Sequence, residues 1–182
     1  MDDLLANYNN LVAKVNELCR RIESDCSEQL TCHAGCCDCC RHLTLTWVEA
    51  VALSTAVGRL PFLEAEEIRR KAATAPLDGP CPLLSGNICD LYACRPIICR
   101  THGLPILTSQ NGKQSIDFCP LNFQGIESLP GTAAIDLERL NTLLESVNRL
   151  FIKSVFDEQP EQERLTIAEA LLLDIECPRE EP

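Results

Sequence analysis

Five cysteines stand within nine residues of this chain: Cys32, Cys36, Cys37, Cys39 and Cys40. Residues 32–42 break the helical pattern on either side of them. Thirteen cysteines among 182 residues extend the theme beyond that cluster. A disulfide framework does not fit. The number is odd, and hydrophobic residues make up 46% of the chain, enough for a core without covalent staples. Nor does the N-terminus read as an export signal, because Met1 is followed by Asp2 and Asp3 rather than by basic residues and an apolar run. The expected compartment is the cytoplasm, where thiols stay reduced and clustered cysteines serve as metal ligands.

The spacing of the cysteines sharpens that reading. Cys36-x-x-Cys39 is the compact chelating unit of zinc and iron sites. Two intervening residues make a turn that points both sulfurs at one metal and lets backbone N–H groups donate to them. Gly35 permits the turn before it. Cys39 and Cys40 are adjacent, so their side chains are expected to diverge and serve two metals, or two corners of one cluster. A second set, Cys81, Cys89, Cys94 and Cys99, follows at spacings of eight, five and five, with Cys119 beyond. Thiolates gathered in one place repel one another and resist burial unless cations neutralise them. Zinc or an iron–sulfur cluster supplies that charge, and soft sulfur donors disfavour magnesium, calcium and manganese.

The expected ligands are Cys32, Cys36, Cys39, Cys40, Cys81, Cys89, Cys99 and Cys119. Cys37 and Cys94 stand open between ligand and neighbour. Cys19 and Cys26, seven residues apart on one helix face, are expected in the core, and Cys177 outside the site. His33, His42 and His102 lie close to cysteines. Imidazole can replace thiolate on zinc and in some iron–sulfur centres, while a hydrogen bond or an exposed ring is the plainer role. His102, three residues after Cys99, is the candidate ligand among them. Arg95 and Arg100 are expected to hydrogen-bond cluster sulfurs or the carbonyls of the ligand loops, offsetting thiolate charge. Tyr92 reads as packing.

Helices are expected on both sides of the cysteines. Leu4, Tyr8, Leu11, Val15, Leu18 and Ile22 step by four and three, which predicts an amphipathic helix over residues 1–30, with Asp2 and Asp3 at its positive end. Thr46 and Glu49 form a capping box for a second helix that shows Trp47, Val51 and Val57 on its apolar face and stops at Gly58 and Pro61. A third, charged helix is expected over about residues 62–74, with Glu64, Glu66 and Glu67 on a solvated face. Asn111-Gly112 between Leu104–Thr108 and Ser115–Phe118 predicts a β-hairpin. Residues 132–176 are expected to be helical, on Ile135, Leu140, Leu143, Leu144, Val147, Leu150, Phe151 and Val155, then a Thr166–Glu169 capping box before Leu171, Leu172 and Ile175. The whole chain, 1–182, reads as a single domain. Its fold class is mainly α: helices around a cysteine-rich, metal-organised loop region at 32–120 with a small β-hairpin. The long terminal helices are expected to pack together, with the metal loops at one end.

The wording of the second motif, Cys89-Asp-Leu91-Tyr92-Ala-Cys94-Arg95-Pro96-Ile-Ile-Cys99-Arg100, together with Cys81 and Leu84 before it, is specific. With Cys32, Cys36, Cys39 and Cys40 it resembles the YkgJ-type cysteine-cluster family, described as zinc- or iron-chelating. The likeness covers about residues 32–120. It departs from that family's Cys-x-x-Cys-x-x-Cys-Cys pattern by one extra residue between Cys32 and Cys36 and by the added Cys37 and Cys94. The resemblance implies a small, mainly helical protein around cysteine-bound metal. Some longer members are flagellin lysine methylases. No methyl-donor domain or glycine-rich nucleotide loop is legible here, so that activity is not carried over.

Charge narrows the partners. A formal net charge of -11 repels phosphate backbones and anionic lipid, and no run approaches the roughly 18 apolar residues of a membrane span. No catalytic triad, carboxylate pair or P-loop is identifiable from spacing. The functional expectation is an iron–sulfur cluster held by the two cysteine motifs, with a redox or electron-transfer role and an unidentified redox or protein partner. The alternatives are a zinc module of two closed four-cysteine sites that staples loops, or a metal-storage or delivery protein using its surplus thiols.

Overall fold

The computed structural model describes residues 3–33, 35–125, 129 and 133–174. Asp2, Ile175 and Cys177, each named above, lie outside those residues. The fold is mainly helical, with a cysteine-rich region inserted between its helices.

Helix α1 spans Ala6–Asp25 and ends in a 3-10 turn at Ser27–Gln29. It begins later than the sequence suggests, and its first turn holds no acidic residue. The Asp3 carbonyl instead accepts a bond from the Ala6 N–H at 3.3 Å. Its buried seam runs through Tyr8, Leu11, Val15, Cys19 and Ile22. Leu4 is exposed and Leu18 only partly covered, so Cys19 and Leu5 take the places expected for them. Cys19 and Cys26 are both buried, in line with a packing role.

Helix α2, Trp47–Gly58, starts at the predicted capping box, in which Thr46 and Glu49 exchange bonds. Its backbone is further anchored where the Val48 N–H donates to Asn148 Oδ1 at 3.0 Å. Val51 and Val57 are buried as expected, and burial extends beyond that face around nearly the whole circumference of α2. A helix that apolar must lie between two layers. Val48 and Val51 pack into one cluster with α1 and α5 (Leu137–Val155). Ala50, Leu53 and Val57 pack into a second with α3 (Phe62–Ala73) and α6 (Ile167–Leu172). On the outer face of α3, Arg69 pairs with Glu66 and Arg70 with Glu67, as a solvated face should.

The C-terminal elements close both layers. Helix α5 buries Leu140, Leu144, Phe151 and Ile152 against α1, while Leu143 and Leu150 face solvent. Ile135 belongs to a short strand rather than to the helix. The second capping box forms at Thr166 and Glu169. Trp47 packs edge-to-face on Phe156 with centroids 5.1 Å apart and donates to the Gln162 carbonyl at 2.8 Å.

Strands are short. β1 (Thr44–Leu45) pairs with β7 (Leu165–Thr166), and β2 (Leu84–Ser85) with β3 (Ile88–Cys89), both antiparallel. The predicted hairpin forms as β4 (Ile106–Gln110) and β5 (Lys113–Asp117), two residues displaced at its first strand. Asn111 and Gly112 hold φ of 52° and 75°, the mirror-image turn that suits strand twist. β6 (Ile135–Asp136) then adds in parallel to β4. Among the described residues no helix is long and apolar enough to cross a membrane.

Candidate metal centre

The cysteines meet at a cavity of about 480 Å³ beside the C-terminal end of α1. Its wall carries seven of the eight expected ligands: Cys32, Cys36, Cys39, Cys40, Cys81, Cys89 and Cys99. Cys119 is not on that wall but touches Cys32. His33 and His102 also line it, as do Arg95 and Arg100.

Local backbone bonds place the sulfurs. Cys36 N–H donates to the His33 carbonyl at 3.0 Å, with Gly35 at φ 100° between them. Cys40 N–H donates to the Cys37 carbonyl and Arg41 N–H to the Cys39 carbonyl, each at 2.9 Å. These bonds wind Cys39 and Cys40 into a tight turn. Their sulfurs consequently lie in hydrogen-bond contact rather than diverging, which corrects the expectation drawn from adjacency. The Cys40 carbonyl accepts from Cys81 N–H at 3.1 Å, and Arg41 bridges Pro80, so the two motifs are stitched together along the backbone. Cys89 sits in the β2–β3 hairpin opposite Leu84. Cys99 rides on α4 (Ile97–Thr101).

Two residues outside the cysteine motifs hold the arrangement. Glu49 is only 2% exposed. One carboxylate oxygen closes the α2 capping box, and the other accepts the Ile97 N–H at 3.1 Å, fixing the start of α4. Asn122, 1% exposed, accepts at Oδ1 from the N–H groups of Thr31 and Cys32 at 2.9 and 3.1 Å. Its Nδ2 donates to Cys32 Sγ at 3.2 Å and to the Gly103 carbonyl at 2.8 Å. Gly103, at φ 91°, leaves little room for a side chain, since a Cβ there would meet Cys32 Sγ at 3.1 Å. The capping-box pattern exposed Glu49 as a cap only. Nothing in the local sequence marks Asn122, because its partners Thr31 and Cys32 are about 90 residues away.

Arg95 and Arg100 bind carbonyls of the ligand loop. Arg95 donates to the Cys99 carbonyl at 3.1 Å and stacks 3.7 Å from the centre of the Tyr92 ring. Tyr92 is exposed, so it serves as that guanidinium's platform rather than as core packing. Arg100 donates to the carbonyls of Ala93 and Arg95 at 2.7 and 2.6 Å. His42 takes the plainer role, with Nδ1 3.0 Å from the Pro76 carbonyl and Nε2 accepting the Ala168 N–H at 3.1 Å. Cys37 lies off the cavity with its sulfur 3.5 Å from Asn87 Oδ1. Cys94 is exposed and lines a separate hollow of about 230 Å³.

Burial governs the thiols. It pushes Cys99 up to about 12, with the sulfurs of Cys81 and Cys89 adding and Arg95 opposing. Cys81 rises to about 11 by burial, with Cys89 and Cys40 adding. Cys40 and Cys89 rise for the same first reason. Cys32 also reaches about 11 although the residue as a whole is exposed, raised by burial of its sulfur against Gly103 and by Cys119 and Cys36, while the Asn122 hydrogen bond opposes the rise. Without a cation these groups stay protonated at neutral pH, so a metal must displace their protons to bind. In kind, the donor set fits zinc or iron–sulfur: seven sulfurs on one wall, with Glu23 as the sole carboxylate residue among those lining it. Among the described residues, no three His, Cys, Asp or Glu side chains already stand grouped to hold an ion.

Residues 31–120 match the family model described as "CxxCxxCC: Putative zinc- or iron-chelating domain". No curated protein and no solved structure matches the chain.

Proposed function

Since residues 31–120 are a member of the CxxCxxCC family, we propose that this chain holds an iron–sulfur centre on its two cysteine motifs and works in electron transfer or redox chemistry. One observation carries the reading: seven cysteines from two distant stretches line a single cavity. A cavity of about 480 Å³ exceeds the needs of one ion bonded to four sulfurs at about 2.3 Å. It suits a polynuclear group held by cysteine thiolates. Such a group, when bound, accepts or donates one electron at a time.

The chain's own residues have definable tasks. Cys32, Cys36, Cys39, Cys40, Cys81, Cys89, Cys99 and Cys119 are the proposed donors, and each loses its proton on loading. Arg95 and Arg100 fix the carbonyls around Cys99 and bring positive charge close to the thiolates. Arg95 already opposes the rise in Cys99. His102 also lies on the cavity wall. The apolar part of the wall, including Leu30, Leu83, Leu104 and Ile167, limits water there.

Zinc is the second reading, favoured by the matched family's description, which names it beside iron. Storage draws less support, because Cys37 and Cys94 are not among the residues lining the cavity. Anaerobic purification followed by metal and sulfide analysis, absorption and paramagnetic resonance distinguishes these readings. A brown protein with iron and acid-labile sulfide that bleaches on reduction is the expected result. A colourless, iron-free protein overturns it, and zinc held stoichiometrically would establish the second reading.

A further inference from the structure

Zinc sites and cysteine-ligated iron–sulfur clusters both take at most four protein thiolates per centre. Eight donors therefore exceed what one such centre uses. The structure also does not arrange them as one even ring. Cys32 and Cys119 meet at Gly103, where an added Cβ would lie 3.1 Å from one sulfur and 3.7 Å from the Cβ of the other. Asn122 secures that corner, donating to Cys32 Sγ at 3.2 Å while its own N–H donates to the Cys119 carbonyl at 2.9 Å. Cys36 and Cys39 follow on the same turn-rich segment. At the other corner, Cys81 N–H donates to the Cys40 carbonyl, and the Cys81 carbonyl accepts from Leu84, the residue paired with Cys89. Cys99 closes this second group, its carbonyl held by Arg95. The charges that bear on Cys99 come from Cys81, Cys89, Arg95 and Cys40, all of this second corner.

We propose that the chain carries two metal centres, one on Cys32, Cys36, Cys39 and Cys119, the other on Cys40, Cys81, Cys89 and Cys99, meeting at the touching sulfurs of Cys39 and Cys40. This rests on the metal-centre reading above and adds the count and the division of ligands. Asn122 serves the first centre by its N–H···S bond, and Arg95 the second through the Cys99 backbone. The contact between Cys39 and Cys40 brings the two centres side by side.

Cobalt(II), added anaerobically to the full chain stripped of metal by a chelator, is the probe. The wild-type chain should take up two equivalents with the intense thiolate-to-cobalt absorption of tetrahedral sites. C81S/C99S and C32S/C119S should each take up one, a twofold loss, and the remaining spectrum should still be that of four sulfurs. Far-ultraviolet circular dichroism checks that each variant keeps its helices, and the wild-type stoichiometry decides the count even where a variant does not fold. One equivalent in the wild type, abolished by both double substitutions, overturns the division and leaves a single shared centre. No thiolate-bound cobalt at all overturns the metal-centre reading itself.

Discussion

The helical frame and the cysteine region of this chain are built by opposite means. In the frame, Leu45, Val48, Val57, Ala170 and Leu171 are 0% exposed, and both predicted capping boxes are closed. Apolar burial at roughly 25 cal/mol per Å² can hold such a structure without help. In the cysteine region the elements are two to five residues long, and only a few side chains, Leu83, Leu91, Ile97 and Leu104 among them, reach the core. Its shape comes from side-chain bonds to backbone, and its thiols sit half-covered around a cavity. A region so short of apolar burial would gain rigidity from a cation bound to its sulfurs. The frame fixes where the sulfurs stand, and on the proposed reading their metal would fix how firmly the loops are held.

The largest test of that contrast removes sulfur. C89S/C99S should abolish metal binding at the second corner and speed amide hydrogen exchange across residues 81–101 of purified, metal-loaded protein. Amides of α1 and α5 should keep their protection. Equal loss of protection in both regions would break the comparison.

Glu49→Ala attacks the link between the regions. It strands the Ile97 and Thr46 donors in a buried place, and urea unfolding should show a loss of about 3 kcal/mol. Asn122→Ala acts on the cysteine side, leaving the N–H groups of Thr31 and Cys32 without their acceptor. Its stability cost should be about 2 kcal/mol. A competition titration with a coloured chelator should show metal affinity falling by roughly 10–100-fold.

Alkaline pH sharpens the comparison more gently. Cys81 and Cys99 have folded values of about 11 and about 12, raised above the ordinary 9.0 by burial. A raised thiol binds its proton more tightly in the folded chain. Its contribution to stability is present below pH 9 and is lost as pH climbs toward those values. Chelator-stripped protein should therefore show a lower urea midpoint at pH 10.5 than at pH 8. Metal-loaded protein should not follow it, because the bound thiols carry no proton to lose. Smallest of all, Gly112→Ala should cost about 1 kcal/mol through its φ of 75°, with open space around it and metal binding untouched.

Much of the frame was legible from local chemistry. Thr46 with Glu49, Thr166 with Glu169, and Asn111-Gly112 each act over a few residues, so their patterns announced two helix starts and a hairpin. The core positions of Cys19 and Cys26 followed from helical spacing. Less legible was anything set by partners far along the chain. Helix α2 is buried on both sides because α1 and α5 cover one face and α3 and α6 the other, and no window of residues contains that fact. Tyr92 became a platform for Arg95 because the loop turns it outward.

By itself the sequence determined the chemistry of the donors. Thiol density and the Cys36-x-x-Cys39 unit make a donor set suited to soft cations whatever the chain's path. Only the tertiary structure decided which sulfurs meet. It put Cys40 beside Cys81, Cys32 beside Cys119, left Cys37 and Cys94 off the cavity, and assigned Glu49 and Asn122 to hold the loops. The reason is range: a donor's affinity is carried by its own atoms, whereas a site's geometry is the sum of contacts between residues that the chain keeps far apart until it folds.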